Sequence, residues 1–155
     1  IHYHRSTYVF LAGYMAILSG DFVNQFAGQI INIHPSLLPA FKGLNTHQRA
    51  IDENADIHGV SVHLVTDALD EGPIIAQASL PLVAGDTADK LAARVLQLEH
   101  QIYPFVLLGL AKKHLSLSSE GVCWRTPSRA LADAPAPMRH SLAQCLIWPA
   151  PISKE

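Results

Sequence analysis

Four short apolar segments, alternating with helical patterns, limit the fold of this chain more than any other feature of its sequence. They span residues 8–13, 29–34, 59–65 and 73–82, and each is bounded by glycine, proline or polar turn residues. Their β-branched and alternating composition predicts strands. The segments 19–26 and 46–54 begin with capping residues and are predicted to be helices. Strands that alternate with helices predict an α/β fold, in which helices flank a layered sheet.

A long helical pattern follows the fourth predicted strand, from residue 88 to about residue 113. Its apolar side chains recur at helical spacing and form one stripe: Leu91, Val95, Leu98 and Ile102. We expect Pro104 to kink or interrupt this helix, because proline lacks an amide hydrogen. Beyond residue 116 no amphipathic period remains, and prolines and alanines are frequent. We therefore predict one domain over residues 1–116 and an irregular, Pro/Ala-rich tail over residues 117–155.

Composition and charge narrow the class of protein. The chain has 155 residues, of which 49% are hydrophobic and 15% charged, which is typical of a folded domain. A formal net charge of −2 gives no reason to expect nucleic acid or an anionic membrane surface as a partner. Cys123 and Cys145 are far apart and form no CxxC motif, so we predict neither a disulfide framework nor a metal site. Reduced thiols favour a cytoplasmic location.

Polar side chains lie where predicted strands end, and these ends are candidates for a site. Asn32 and His34 are two residues apart on a strand, so their side chains share one face. Asp70 follows the next strand in a polar turn. Ligands of α/β sheets sit at the carboxyl ends of strands. We therefore expect the segments 13–18, 32–35 and 65–70 to converge on one cleft.

The side chains in this expected cleft suit the polarisation of a carbonyl group. Asn32 offers an amide donor, His34 offers a donor that is also a proton source, and Asp70 would orient the imidazole. Two donors directed at one point stabilise the oxyanion of a tetrahedral intermediate. Neither a GxSxG elbow nor a nearby cysteine supplies a nucleophile, which favours direct transfer to an external one. Taken singly, each residue has a structural alternative: a turn cap for Asn32, a core histidine for His34 and a turn residue for Asp70.

Several motifs extend this picture along the chain. They are LAGYM at 11–15, NIHPSLLP at 32–39, FKG at 41–43, HGVSVH at 58–63, VTDALDEGPII at 65–75, GDT at 85–87 and EHQIYP at 99–104. Together, over roughly residues 7–115, they resemble the phosphoribosylglycinamide formyltransferase (glycinamide ribonucleotide transformylase) family. The combination is far more specific than a single glycine motif. The resemblance implies the C-terminal half of a Rossmann-like formyltransferase sheet, with residues 1–116 as its catalytic domain.

The resemblance also implies a reaction and a set of residue roles. The amine of glycinamide ribonucleotide would attack the formyl carbon of 10-formyltetrahydrofolate, in purine biosynthesis and without a metal. His34 would be the general acid, Asn32 would donate to the formyl oxygen, and Asp70 would hold and charge His34. The folate would contact Met15, Ala16, Ile17, Leu18, Asn32, Val65, Asp67 and Asp70. Pro35 and Glu99 would contact the ribonucleotide, although Glu99 alone would pass for a solvated helix charge.

Two related families share the trio and serve as alternatives. Formyltetrahydrofolate deformylases use water as the acceptor, and there the segment at residues 34–37 usually reads His-His-Ser-Phe. Pro35 and Leu37 therefore favour the transformylase. Methionyl-tRNA formyltransferases carry a further RNA-binding domain, for which this chain has neither the length nor the basic surface.

The sequence departs from the transformylase pattern at its front and at three positions. No glycine-rich loop of the kind that binds phosphate at a helix start precedes the first predicted strand. We therefore expect either that the N-terminal half is missing from this chain or that the chain is a truncated relative, and that its partner is the missing half or a second copy in a homo-oligomer. Ala16, Asn45 and Leu96 stand where the family often has Arg, His and a polar residue. A folate-binding fragment without catalysis is therefore a further alternative.

Overall fold

The computed structural model describes residues 6–14 and 16–147. Its elements are, in chain order, β1 (Val9–Leu11), α1 (Gly20–Gln25), β2 (Ile30–His34), α2 (Thr46–Asp52), β3 (Ile57–Leu64), β4 (Ile74–Pro81), α3 (Ala88–Ala111), β5 (Leu115–Ser118), β6 (Gly121–Trp124), α4 (Pro127–Asp133), α5 (Ala136–Cys145) and β7 (Leu146–Ile147). The four predicted strands and three predicted helices are all present, and the α/β prediction is confirmed. Within the described residues, no helix has both the length and the apolar character needed to cross a membrane.

The main sheet has five strands in the order β1-β2-β3-β4-β7. β1 and β2 are parallel, whereas β3 runs antiparallel to both β2 and β4. The expectation that three strand ends converge is therefore wrong for β3, because its carboxyl end lies beside the start of β2. Leu64 is paired with Ile31, and His34 at the other end of β2 is paired with Ser61. A loop, rather than a strand end, must bring residue 70 to the site.

The two faces of β2 have opposite roles. Ile31 and Ile33 belong to the buried core, together with Val60 and Val62 of β3 and the apolar side of α3. Asn32 and His34 alternate with these isoleucines and face the other side of the sheet. α3 therefore covers one face of β2, and loops cover the polar side chains on its other face.

α3 runs without interruption through Pro104, so the predicted break is wrong. The missing amide hydrogen leaves one carbonyl, that of His100, without its intrahelical partner. Both Pro104 and His100 are exposed, so the carbonyl without a helical partner lies on the solvent side of α3 and not in the core. Phe105 and Val106, directly after the proline, are fully buried.

The predicted irregular tail is also wrong over residues 117–147, which form β5, β6, α4, α5 and β7. The prolines open helices instead of preventing them: Pro127 lies in the first turn of α4, and α5 follows Pro135 directly. Proline is favoured at the first position of a helix, where no hydrogen-bond partner is lost. β7 pairs antiparallel with β4 and extends the sheet. Residues 148–155 lie outside the described residues.

Trp124 fastens the C-terminal segment to the domain. Its ring stacks on Phe105 of α3 with centroids 5.5 Å apart, and its Nε1 donates to the carbonyl of Ile75 at 2.8 Å. Gly109 makes this approach possible, since a Cβ there would lie 2.9 Å from the indole ring. β6 is thus joined to both α3 and β4.

Leu142 on α5 tests whether the C-terminal segment belongs to the core. This side chain is fully buried in the same cluster as α3 and the sheet. Leu142→Ala should lower the free energy of unfolding by about 2–5 kcal/mol, because it removes buried methyl groups and leaves a cavity. Urea denaturation measures this loss, with Gln144→Ala, at an exposed position of the same helix, as the matched control. Equal stability of the two variants would contradict the placement of α5.

Candidate active site

The site is built on the polar face of β2 and on the loop that follows it. Pro35 ends the strand, and His34 is only 5% exposed. The Nε2 of His34 donates to the carbonyl of Phe41 at 3.0 Å, since a carbonyl can only accept. Its Nδ1 lies 3.4 Å from Oδ2 of Asp70. Both ring nitrogens therefore face acceptors, an arrangement in which only an imidazolium donates on both sides.

Asp70 reaches His34 because the loop over residues 65–73 folds back across the end of the sheet. Asp70 has a φ of 53°, a conformation that non-glycine residues adopt infrequently. Oδ2 of its carboxylate accepts a hydrogen bond from the amide of Gly43 at 2.9 Å. Gly72 allows the return of the loop, since a Cβ there would lie only 1.8 Å from the carbonyl oxygen of Leu64.

The loop over residues 35–45 is held against β3 by Ser61. The hydroxyl of Ser61 donates to the carbonyl of Ser36 at 2.7 Å and accepts from the amide of Leu38 at 3.0 Å. Gln77 of β4 adds contacts to the Ser61 hydroxyl at 2.8 Å and to the Leu38 carbonyl at 2.9 Å. These buried bonds fix the part of the loop that leads to Phe41, and so fix the partner of His34.

His63 is a fourth polar residue of the site, to which the sequence analysis gives no role. It is paired with Asn32 across β2 and β3, is 2% exposed, and has its Nε2 3.3 Å from Nδ2 of Asn32. The same nitrogen lies 3.7 Å from Oδ1 of Asp70. In the sequence, the spacing of two residues indicates only that His63 shares a strand face with Ser61. The pairing of β2 with β3 is needed to place His63 next to Asn32.

A second pair of histidines lies behind the loop. Nδ1 of His47 on α2 is 3.1 Å from Nε2 of His58, whose ring also packs edge-on against Phe41. Burial, with a smaller effect of His47, lowers the pKa of His58 to about 4. His58 is therefore neutral at neutral pH and acts as a packing partner of the loop.

The predicted folate-contacting segments lie side by side. Ala16 and Ile17 are exposed, and Leu18 is half-buried, just before α1. Asp67 accepts a hydrogen bond from Nδ2 of Asn24 on α1 at 3.2 Å, which joins α1 to the loop that also carries Val65. Met15 lies outside the described residues.

The two predicted ribonucleotide contacts are placed differently. Pro35 adjoins His34, and its carbonyl accepts from the Thr46 hydroxyl at 2.7 Å. Glu99 lies on α3, one turn before Tyr103, whose hydroxyl is 2.7 Å from the carbonyl of Leu11 and 3.0 Å from that of Ile31. Burial raises the pKa of the Glu99 carboxyl. Its role as a substrate contact stays a prediction.

The geometry joins a neutral amide donor, a histidine with an acceptor at each nitrogen, and a carboxylate within one buried cluster. These groups can polarise a carbonyl, stabilise an oxyanion and transfer a proton. Over residues 6–14 and 16–147, no group of three His, Cys, Asp or Glu side chains is arranged to hold a metal ion.

Comparison with known proteins gives a consistent result. A family model described as formyl transferase matches residues 1–107. Phosphoribosylglycinamide formyltransferase of Escherichia coli (strain K12) is 50% identical over 116 residues, which cover 75% of this chain and 54% of that protein. The crystal structure of phosphoribosylglycinamide formyltransferase from Anaplasma phagocytophilum has a TM-score of 0.74 and 44% identity, covering 79% of this chain and 61% of that one.

A more distant structural relative has a different activity in its name. A formyltetrahydrofolate deformylase from Pseudomonas syringae has a TM-score of 0.72 at 28% identity, over 79% of this chain and 41% of that one. The chain spans about half the length of the curated relatives it matches.

Proposed function

The chain belongs to the formyl transferase family, and we propose that it transfers the formyl group of 10-formyltetrahydrofolate to the amine of glycinamide ribonucleotide. The family implies a folate-derived formyl donor. The single observation that carries the proposal is the contact of the buried His34 with Asp70, on the strand face that also bears Asn32. The two relatives described above, at 50% and 44% identity, are both named phosphoribosylglycinamide formyltransferase.

In this proposal the three side chains divide the chemistry of one addition and one elimination. The amine nitrogen attacks the formyl carbon, and the carbonyl oxygen becomes an oxyanion. Asn32 stabilises it as a donor, and His34 does so when its Nε2 hydrogen turns from the Phe41 carbonyl to the oxyanion. The attacking nitrogen loses a proton, and the folate nitrogen gains one as its bond to the formyl carbon breaks. His34 gives a proton to the departing folate nitrogen and takes one back from the attacking nitrogen, so that no net proton is consumed. The carboxylate of Asp70 stabilises the ring while it is positively charged.

Two neighbouring segments of the chain bind the folate in this proposal. The first contains Met15, Ala16, Ile17 and Leu18, and the second contains Val65 and Asp67. The hydrogen bond between Asn24 and Asp67 supports this assignment, because it holds α1, which begins just after the first segment, against the loop that carries the second. Pro35 and Glu99 contact the ribonucleotide.

One assay tests the proposal against its two alternatives. The chain is incubated with 10-formyltetrahydrofolate, with and without glycinamide ribonucleotide, and the appearance of tetrahydrofolate is followed. We expect release that depends on the ribonucleotide, because the trio carries no nucleophile of its own and needs an external one.

The other two outcomes each contradict the proposal in a specific way. Equal release without the ribonucleotide would identify a hydrolase, the activity named for the Pseudomonas syringae relative. Bound folate with no release would identify a binding fragment. A heat-denatured sample provides the rate of spontaneous deformylation.

A further inference from the structure

We propose that His63 is a positioning residue, which holds the carboxamide of Asn32 so that one Nδ2 hydrogen is left for the reacting carbonyl oxygen. This inference rests on the proposed function, in which Asn32 donates to the formyl oxygen. It adds a residue whose own atoms need not touch either substrate.

The hydrogen-bond partners of His63 determine which ring nitrogen carries its proton. Nδ1 lies 2.9 Å from the carbonyl oxygen of Leu64, which can only accept, so Nδ1 bears the hydrogen. In a neutral imidazole the other nitrogen then presents a lone pair. Nε2 of His63 is therefore an acceptor, and it faces Asn32 at 3.3 Å.

An acceptor at this point selects one of the two orientations of the Asn32 amide. With Nδ2 toward His63, one amide hydrogen is used and the second remains free. With the amide reversed, the Oδ1 lone pairs would face and repel the lone pair of Nε2, and Nδ2 would move to the opposite side of the carboxamide. His63 therefore fixes the place from which the second Nδ2 hydrogen donates to the developing oxyanion.

The fold keeps His63 in place for this purpose. Its Cα is paired with that of Asn32, and the pairing of β3 with β4 shifts register between Val62 and His63. Register shifts of this kind redirect a side chain within a sheet and are frequent next to active sites. The ring is nearly inaccessible to solvent, so water does not compete for Nε2.

The charge state of the ring agrees with this arrangement. Burial lowers the pKa of His63; the Leu64 carbonyl and Asp70 oppose this effect, and His34 adds to it. The ring is thus neutral at neutral pH. Protonation would point an Nε2 hydrogen at the amide hydrogens of Asn32 and draw the ring toward Oδ1 of Asp70, 3.7 Å away.

Two substitutions distinguish the role of Nε2 of His63 from that of Nδ1. In His63→Gln the terminal amide can occupy the place of Nε2 and accept from Asn32. In His63→Asn the shorter amide reaches only the place of Nδ1 and keeps the bond to Leu64. We expect kcat to fall on the order of 10- to 100-fold in His63→Asn, with KM for the formyl donor little changed, and to fall far less in His63→Gln.

A double-mutant cycle distinguishes positioning from a general structural role. In an Asn32→Ala background, His63→Asn should have no further effect on kcat, since the group that it positions is gone. An undiminished effect in that background would overturn the proposal, as would equal kcat values of the two His63 variants.

A spectroscopic measurement keeps this inference separate from the proposed function. ¹⁵N-detected NMR of the unsubstituted chain should show His63 as the Nδ1–H tautomer, and one Nδ2 proton of Asn32 protected from solvent exchange. That protection should persist in His63→Gln and vanish in His63→Asn. If the chain transfers no formyl group but these signals are seen, only the proposed function has failed; an Nε2–H tautomer overturns the role of His63.

Discussion

His34→Ala should reduce formyl transfer by about 10³-fold or more, because it removes both a proton donor and a donor to the oxyanion. The substitution deletes the ring that bridges Phe41 and Asp70, at 3.0 Å and 3.4 Å. Folate binding should change little, since the proposed folate contacts lie mainly on the segments before α1 and after β3. Initial rates of tetrahydrofolate formation measure the first effect, and calorimetric titration with tetrahydrofolate measures the second.

His140→Ala is the matched control for this variant. It removes the same side chain from an exposed position of α5, where the ring lies 3.4 Å from the carbonyl of Ala136 in its own helix. This control should transfer formyl groups at the unsubstituted rate. A His34→Ala chain within a few-fold of that rate would refute the role of His34 as the proton donor.

The strands were predictable because their apolar patterns are local. Period-two alternation and β-branched residues mark β2 and β3 regardless of their neighbours. The same alternation placed Asn32 and His34 on one face, and the trio followed from residues that resemble a known family. Chain direction in the sheet carries no such local signal, so the antiparallel course of β3, which places its carboxyl end away from that of β2, was not predicted.

That direction explains why His63 was missed. In the antiparallel sheet the residue opposite Asn32 is His63, whereas a parallel arrangement would give Asn32 a different neighbour. The contact of His63 with Asp70 depends in addition on the folded-back loop, which Gly72 permits through a close approach to Leu64. Both are long-range properties that the spacing of residues along the chain does not encode.

The C-terminal segment was misjudged for a different reason. Its prolines were interpreted as helix breakers, although Pro127 opens α4. The fully buried side chains of α4 and α5 are few and mostly small: Ala130 and Ala134 are buried alongside Leu142. Three isolated buried positions do not produce the apolar stripe by which α3 was found.

Asp70→Asn should lower kcat by about 10²-fold or more while the fold is retained. The amide has the shape of the carboxylate, and its oxygen can still accept from Gly43, as Oδ2 does at 2.9 Å. What is lost is the negative charge beside His34, which stabilises the positive ring as it forms. The thermal midpoint should therefore move little, whereas the rate of transfer falls.

Glu71→Gln is the control, because it neutralises the next carboxylate along the same loop. Glu71 pairs with Lys42 at 2.8 Å, and its side chain is 55% exposed. An exposed pair of this kind contributes at most about 1 kcal/mol to stability. Both variants remove one negative charge from the loop, but the charge of Asp70 is buried beside His34 and His63, whereas that of Glu71 is exposed and paired with Lys42. If they slowed transfer equally, the charge of the loop as a whole, and not the pairing of Asp70 with His34, would govern the rate.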